Sequence, residues 1–276
     1  MIRRRLFTVA LALAAALALV FLLLPLVAIF LRVPPGELLA QLGSDVAIDA
    51  VVVTLKANAI AQALILVVGT PAAYLIASRG FRGRALVVTL VELPLVLPPA
   101  VAGIGLLAAF GRLGLLGGTF EVLGVSISFT QTAVVLAVAY VACPFYLRQA
   151  IASFEALDHA LLDASRTLGA GPARTFLRIA LPLAVKGLAA GAALSFARGI
   201  GEFGATIMFA GSLQGVTQTL SLAIYAQFDL NFDVALALGA LLVIISAVLL
   251  LTVKLIPAWT RSTSTSLSPF ARFGSS

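Results

Sequence analysis

One cysteine, one histidine and one tryptophan are all that 276 residues contain of those types, and charged residues make up only 11% of the chain. Each scarcity excludes something. Cys143 alone forms no internal disulfide and leaves the redox compartment unread. His159 alone lacks the second ligand that a metal site needs. With so few nucleophiles and scattered carboxylates, the chain is poorly supplied for enzyme chemistry. No Gly-x4-Gly-Lys-Ser/Thr loop is present, so the chain carries no ATPase phosphate loop of its own. Soluble domains are about 25% charged and roughly 45–50% apolar. This chain is 62% hydrophobic with a mean hydropathy of +1.14, and hydrocarbon is the solvent that fits most of it. The net charge of +7 is read as a loop bias of a membrane protein, not as a nucleic-acid surface.

Long uncharged runs are what the sequence has instead. A helix needs about 20 apolar residues to cross hydrocarbon. Six segments qualify: Leu6 to Leu31, Ala57 to Ser78, Ala85 to Gly111, Val122 to Leu147 (its span starting near Gln131), Leu183 to Ala210, and Val234 to Val253. Gln214, Thr217, Gln218 and Thr219 make the stretch from Gly211 to Phe228 too polar for a seventh. It is expected to be an outer loop with a short dipping or surface helix. The runs are continuous, not alternating, which excludes barrel strands. Small residues at Gly187, Gly191, Ala192 and Ser195 permit close helix approach.

Orientation follows from Lys and Arg placement. With both termini inside, 14 of the 18 basic residues fall on the inner side, and only Arg32, Lys56, Arg112 and Arg198 do not. Glu37, Asp45, Asp49, Glu121, Asp229 and Asp233 fall outside. The 26-residue run behind Met1-Ile-Arg-Arg-Arg exceeds the 7–15 residues of a signal-peptide core, so an uncleaved first span is expected. Tyr74, Tyr146 and Trp259 lie near inner span ends, where belt aromatics sit. Residues 1–50 supply one span and an outer loop, 51–257 a core, and 258–276 a Ser/Thr-rich tail expected to be disordered.

The longest inner segment, 153–181, carries the most information. Leu157, Leu161, Ala164 and Leu168 recur at i, i+4, i+7 and i+11 on one helix face. Gly169 follows where a helix favours a left-handed residue, and Pro172 suits the first position of a new helix. Phe176 and Ile179 give that second helix an apolar side. The expectation is helix, glycine turn, helix. Residue patterning leaves two readings open: a partner surface covers the hairpin, or it lies on the bilayer interface.

The run Asp163-Ala164-Ser165, then three residues, Gly169, nine residues and Ile179-Ala180-Leu181-Pro182 resembles the EAA loop of bacterial ABC-importer permeases. That family pattern is Glu-Ala-Ala, three residues, Gly, nine residues, Ile-x-Leu-Pro; Asp163 and Ser165 depart from it. The resemblance implies an all-α membrane protein of six transmembrane helices with the type I ABC-importer permease fold and both termini cytoplasmic. It also implies that the loop docks on a cytoplasmic ATPase subunit. Asp163 to Gly169 would shape its turn, and Ala170, Gly171, Pro172, Ala173 and Phe176 would meet the ATPase. Two ATPase copies would bind ATP and Mg, since this chain implies no cofactor of its own. A second copy of the permease and an extracytoplasmic binding protein complete the implied assembly.

Three further stretches resemble the molybdate branch of that family, with sulfate and tungstate permeases close behind. They are Leu93 to Gly103, Phe110 to Gly117, and Ser195 to Thr206. A divalent oxyanion needs a wet, polar route between helices. Arg198 and Glu202 stand four residues apart inside the fifth span. They are read either as a structural ion pair or as part of a gate, with Thr206 beside them. Pro94, Pro98 and Pro99 interrupt the third span and free backbone carbonyls, which suits either a cavity wall or a packing kink. Gly199-Ile-Gly-Glu-Phe-Gly204 fits Gly-x-Gly-x-x-Gly but lacks a preceding strand, so helix packing is expected there. A different class, a secondary transporter driven by an ion gradient, predicts internal repeats that the halves do not display.

Overall fold

A computed structural model describes residues 2–262. Among these residues every regular element is helical. In chain order they are α1 (Ile2–Arg32), α2 (Pro35–Leu42), α3 (Asp45–Ser78), α4 (Arg84–Val96), α5 (Pro99–Phe110), α6 (Gly117–Val122) and α7 (Gln131–Glu155). Then follow α8 (His159–Thr167), α9 (Pro172–Thr175), a π-helical turn (Phe176–Ala180), α10 (Leu181–Ile200), α11 (Gly204–Ala210), α12 (Leu220–Phe228) and α13 (Phe232–Ser262). The part of the expected tail from residue 263 onward lies outside the described residues.

Among the described residues, five helical stretches are long and apolar enough to cross a membrane: α1, α3, α7, the continuous stretch Pro172–Ile200, and α13. A sixth crossing requires α4 and α5 together, and these meet at 113°. The third expected span, Ala85 to Gly111, is therefore not one straight helix. Pro94 lies inside α4 without breaking it, against expectation; the break comes at Leu97, which is extended (φ −67°, ψ 135°) before the Pro98-Pro99 pair. Pro98 is extended too (φ −55°, ψ 132°), and Pro99 restarts the helix at its first position. Two consecutive residues without N–H groups leave the helical ladder nothing to continue on.

The core is built around α3 and α7. One apolar cluster joins them to α5 and α11 through Ala61, Leu106, Val138 and Phe209. A second joins them to α8 and α10 through Ile65, Tyr146, Leu162 and Leu188. A third, including Ala50, Leu220 and Leu238, joins α3 to α12 and α13. Buried small residues line these contacts, as close approach in a membrane requires. Gly187 faces Ser153, and Gly191 faces Gln149 and Tyr146, which carries α10 tightly along α7. None of the apolar window of α1 is buried; this helix touches the rest of the chain at α13.

Two expectations are corrected here. Tyr146 is not a belt aromatic. It is fully buried, and its hydroxyl bonds the Thr70 hydroxyl at 2.5 Å. Of the two alternatives for the helix in 211–228, dipping or surface, the surface one falls: Leu220, Leu222 and Ala223 of α12 are buried. Its start is pinned by Thr54 Oγ1, which accepts from the Leu220 N–H at 2.8 Å and donates to the Ala50 carbonyl at 2.7 Å. Local bonds take up part of the polarity that made this stretch look exposed, although the buried Thr219 hydroxyl has no partner among the described residues. Thr217 Oγ1 accepts from the Leu213 N–H, and Gln218 donates to Ser212.

Candidate functional sites: a helical hairpin and a paired helix break

The hairpin from 153 to 181 folds as its residues dictate. Asp158 caps α8 by accepting from the Ala160 N–H at 2.9 Å. Gly169 takes φ +81° after the last turn. Its N–H bonds the Arg166 carbonyl, and the Ala170 N–H bonds the Ser165 carbonyl, both at 3.0 Å. Those two bonds form a Schellman motif, which satisfies carbonyls that the helix end would otherwise orphan. Pro172 then opens α9. The buried hydroxyls of Ser165 and Thr175 meet at 3.0 Å and tie the two arms together. Since Ser165 also donates to the Leu162 carbonyl at 2.8 Å, its single proton is spent there and Thr175 is the donor of the pair.

Leu162 and Phe176 anchor the hairpin in the core, and Phe176 stacks on Tyr74 with ring centroids 4.8 Å apart. Ile179 and Leu181 pack on the same cluster. The expected stripe is split: Leu157 lies before α8 and packs on that cluster, while its other members lie on the other side. Leu161, Ala164 and Leu168 are exposed, as are Asp163, Gly171, Pro172, Ala173 and Arg174, while Ala170 is half-buried. Asp163 and Arg166 form an exposed ion pair at 3.0 Å. No break separates hairpin from span. Pro182 sits in the first turn of α10, and the missing i→i−4 bond is replaced by a π turn in which the Leu181 N–H reaches the Phe176 carbonyl.

Arg198 and Glu202 lie at the far end of α10, roughly 27 Å from the hairpin by helix rise. The fifth expected span is not continuous there. α10 stops at Ile200, residues 201–203 are non-helical, and α11 begins at Gly204. The Glu202 side chain is wholly buried, with 0% of its surface exposed, whereas Arg198 is 28% exposed. Glu202 Oε1 accepts from the Ala205 N–H at 2.8 Å. Its Oε2 lies 2.7 Å from an Arg198 guanidinium nitrogen as an ion pair without hydrogen-bond alignment. Thr206 is buried, and its hydroxyl has no partner among the described residues.

The structure unites features that the sequence presents far apart. Gly204 packs against Pro99 and Ala100, and Gly103 against Ala205 and Met208, so the break before α5 abuts the break before α11. Pro98 caps α5 at this junction. The Gly-x-Gly-x-x-Gly run is a packing device at two of its glycines. A Cβ on Gly199 would strike Asn58 and Val138, and one on Gly204 would meet Pro99, while Gly201 faces open space. Sequence reasoning missed Asn58 and Thr54, both buried on α3. Asn58 Nδ2 reaches the Phe196 carbonyl at 3.5 Å. The available signal was Thr54, Asn58 and Gln62 recurring every four residues inside an apolar run.

Residues 65–261 match the family described as binding-protein-dependent transport system inner membrane component. The chain belongs to that family. It is a multi-pass membrane protein. Among relatives of this inner membrane component, the molybdenum transport system permease protein ModB of Mycobacterium tuberculosis is 43% identical over 244 residues, covering 87% of this chain and 91% of that one. The probable molybdenum ABC transporter permease protein HVO_B0370 of Haloferax volcanii is 36% identical, covering 84% of this chain and 87% of its own. The fold is shared with a chain of a bacterial alginate ABC transporter solved with a pentasaccharide-bound periplasmic protein (TM-score 0.74, 17% identity, 91% of this chain and 93% of that one). A chain of the inward-facing MetNI methionine ABC transporter gives a TM-score of 0.58 at 20% identity, over 76% of this chain and 94% of that one.

Proposed function

We propose that the chain is the membrane-spanning permease subunit of an ABC importer that moves a tetrahedral oxyanion, molybdate before tungstate or sulfate, into a prokaryotic cell. The observation that carries this reading is the hairpin whose apolar residues Leu161, Ala164 and Leu168 stay uncovered, with Ala173 exposed on its second arm. A cytoplasmic ATPase subunit is the partner such a lever fits, and relatives named for molybdenum transport supply the substrate. Two permease copies would enclose the path and two ATPase copies would bind ATP and Mg. An extracytoplasmic protein would deliver the anion. The permease itself breaks no bonds; the ATPases, closing on nucleotide, would swing α10 through the π turn and alternate access across the junction of Pro98, Pro99, Arg198, Glu202 and Thr206.

The test is uptake of labelled molybdate by vesicles holding the permease and its ATPase, with tungstate and sulfate as competitors. Loss on ATP depletion but not with a protonophore is expected; the reverse would assign the chain to gradient-driven transport. Arg198→Ala is expected to lower uptake about tenfold or more while expression holds, because a guanidinium supplies the charge-assisted donors an oxyanion needs in hydrocarbon. Unchanged uptake would remove Arg198 from the path.

A further inference from the structure

We propose that Glu202 is a fixed counter-anion that keeps Arg198 from retaining the transported oxyanion, so that the path passes the anion on instead of trapping it. This rests on the reading of Arg198 as the cation of the pathway.

The two side chains are buried unequally. The carboxylate has 0% exposure; Oε1 accepts the Ala205 N–H, and Oε2 is held by charge alone, 2.7 Å from Arg198. Its backbone is held too, since the Glu202 N–H bonds the Gly199 carbonyl at 3.1 Å. These contacts and its burial hold it beside Arg198. Arg198 differs. Among the described residues Glu202 is its one acidic neighbour within 4.0 Å, and 28% of its side chain faces open space. A guanidinium carries five N–H donors in a planar fork, so several remain free for an oxyanion.

A purely structural role leaves this asymmetry unexplained. Capping α11 at the Ala205 N–H asks only for an acceptor, which a neutral side chain supplies. Enclosing a full negative charge within a membrane span is costly unless that charge has a use. The pair is neutral as a unit. A dianion at the free side of Arg198 meets the attraction of one positive charge offset by a negative charge just behind it. Conduction demands this balance, with contact favourable enough to enter and weak enough to leave. Glu202 is thus a positioning residue that also sets affinity.

The experiment measures equilibrium binding of tungstate to the assembled permease–ATPase complex in lipid nanodiscs, without any binding protein. Wild type is expected to bind weakly, with no saturation below the millimolar range. Glu202→Gln keeps an acceptor for Ala205 and removes the charge. It is expected to bind tungstate about tenfold or more tighter, with slower uptake. Glu202→Asp restores the charge and is expected to return binding toward wild type. Arg198→Ala combined with Glu202→Gln is expected to lose the gain. A merely structural Glu202 would weaken assembly and would not tighten binding. Equal affinity in wild type and Glu202→Gln overturns the proposal. So does micromolar binding by wild type that Arg198→Ala abolishes, however Glu202→Gln behaves. Normal uptake by Arg198→Ala would instead bring down the pathway reading itself.

Discussion

Gly169→Val is expected to abolish oxyanion uptake and co-purification with the ATPase, whereas Gly169→Asn is expected to keep most of both. The reason is conformational, since a Cβ here would meet nothing within 4 Å. At φ +81° an L residue is strained, by about 1–2 kcal/mol for an ordinary side chain and more for a β-branched one. Asn enters the left-handed region far more readily. Valine relieves its strain by giving up the Gly169 and Ala170 N–H bonds to α8. The turn then opens, and the Ser165–Thr175 contact that aligns the arms opens with it. Uptake and pull-down on the same preparations check this. A Val variant that still couples would mean that the hairpin's shape is not what the ATPase reads.

Gly103→Val is expected to be as damaging for a steric reason. Its Cβ would fall 2.6 Å from the Ala205 carbonyl oxygen and 2.8 Å from both Ala205 Cα and Met208 Cβ. Two of those atoms are backbone and cannot turn aside. Overpacking of this kind costs about 1–3 kcal/mol, occasionally more. Here it falls on the contact that holds α5 against α11 and brings the two helix breaks together. A drop in thermal midpoint and lost uptake are expected. Gly105→Ala, with nothing within 4 Å, serves as the neutral control. Equal behaviour of the two variants would contradict the close packing of α5 on α11.

The hairpin was legible in the sequence because its chemistry is local. Gly169 and Pro172 specify a turn and a restart without reference to anything distant. The breaks were only half legible. The Pro98-Pro99 pair disfavours helix at Leu97, so an interruption there was readable, although Pro94 proved to be no break, and the 113° bend is set by how α5 packs on α11. The break at 201–203 has no proline to announce it. It is stabilised by the Glu202 bond to Ala205 and by the contact of Gly204 with Pro99, more than 100 positions away in the chain. Tyr146 misled for the same reason, because its partner Thr70 lies 76 residues earlier. The polar run around Thr217 and Gln218 looked like a surface loop. Hydrogen bonds within the run and from Leu220 to Thr54 let it be buried.

Placing a cysteine at Ala173, exposed on the second arm of the hairpin, and crosslinking it to a co-expressed ATPase subunit tests the central claim most directly. Capture of the ATPase in a nucleotide-sensitive yield is the expected result. No capture from Ala173, with Ala170 equally silent in an assembled and transporting complex, would contradict it.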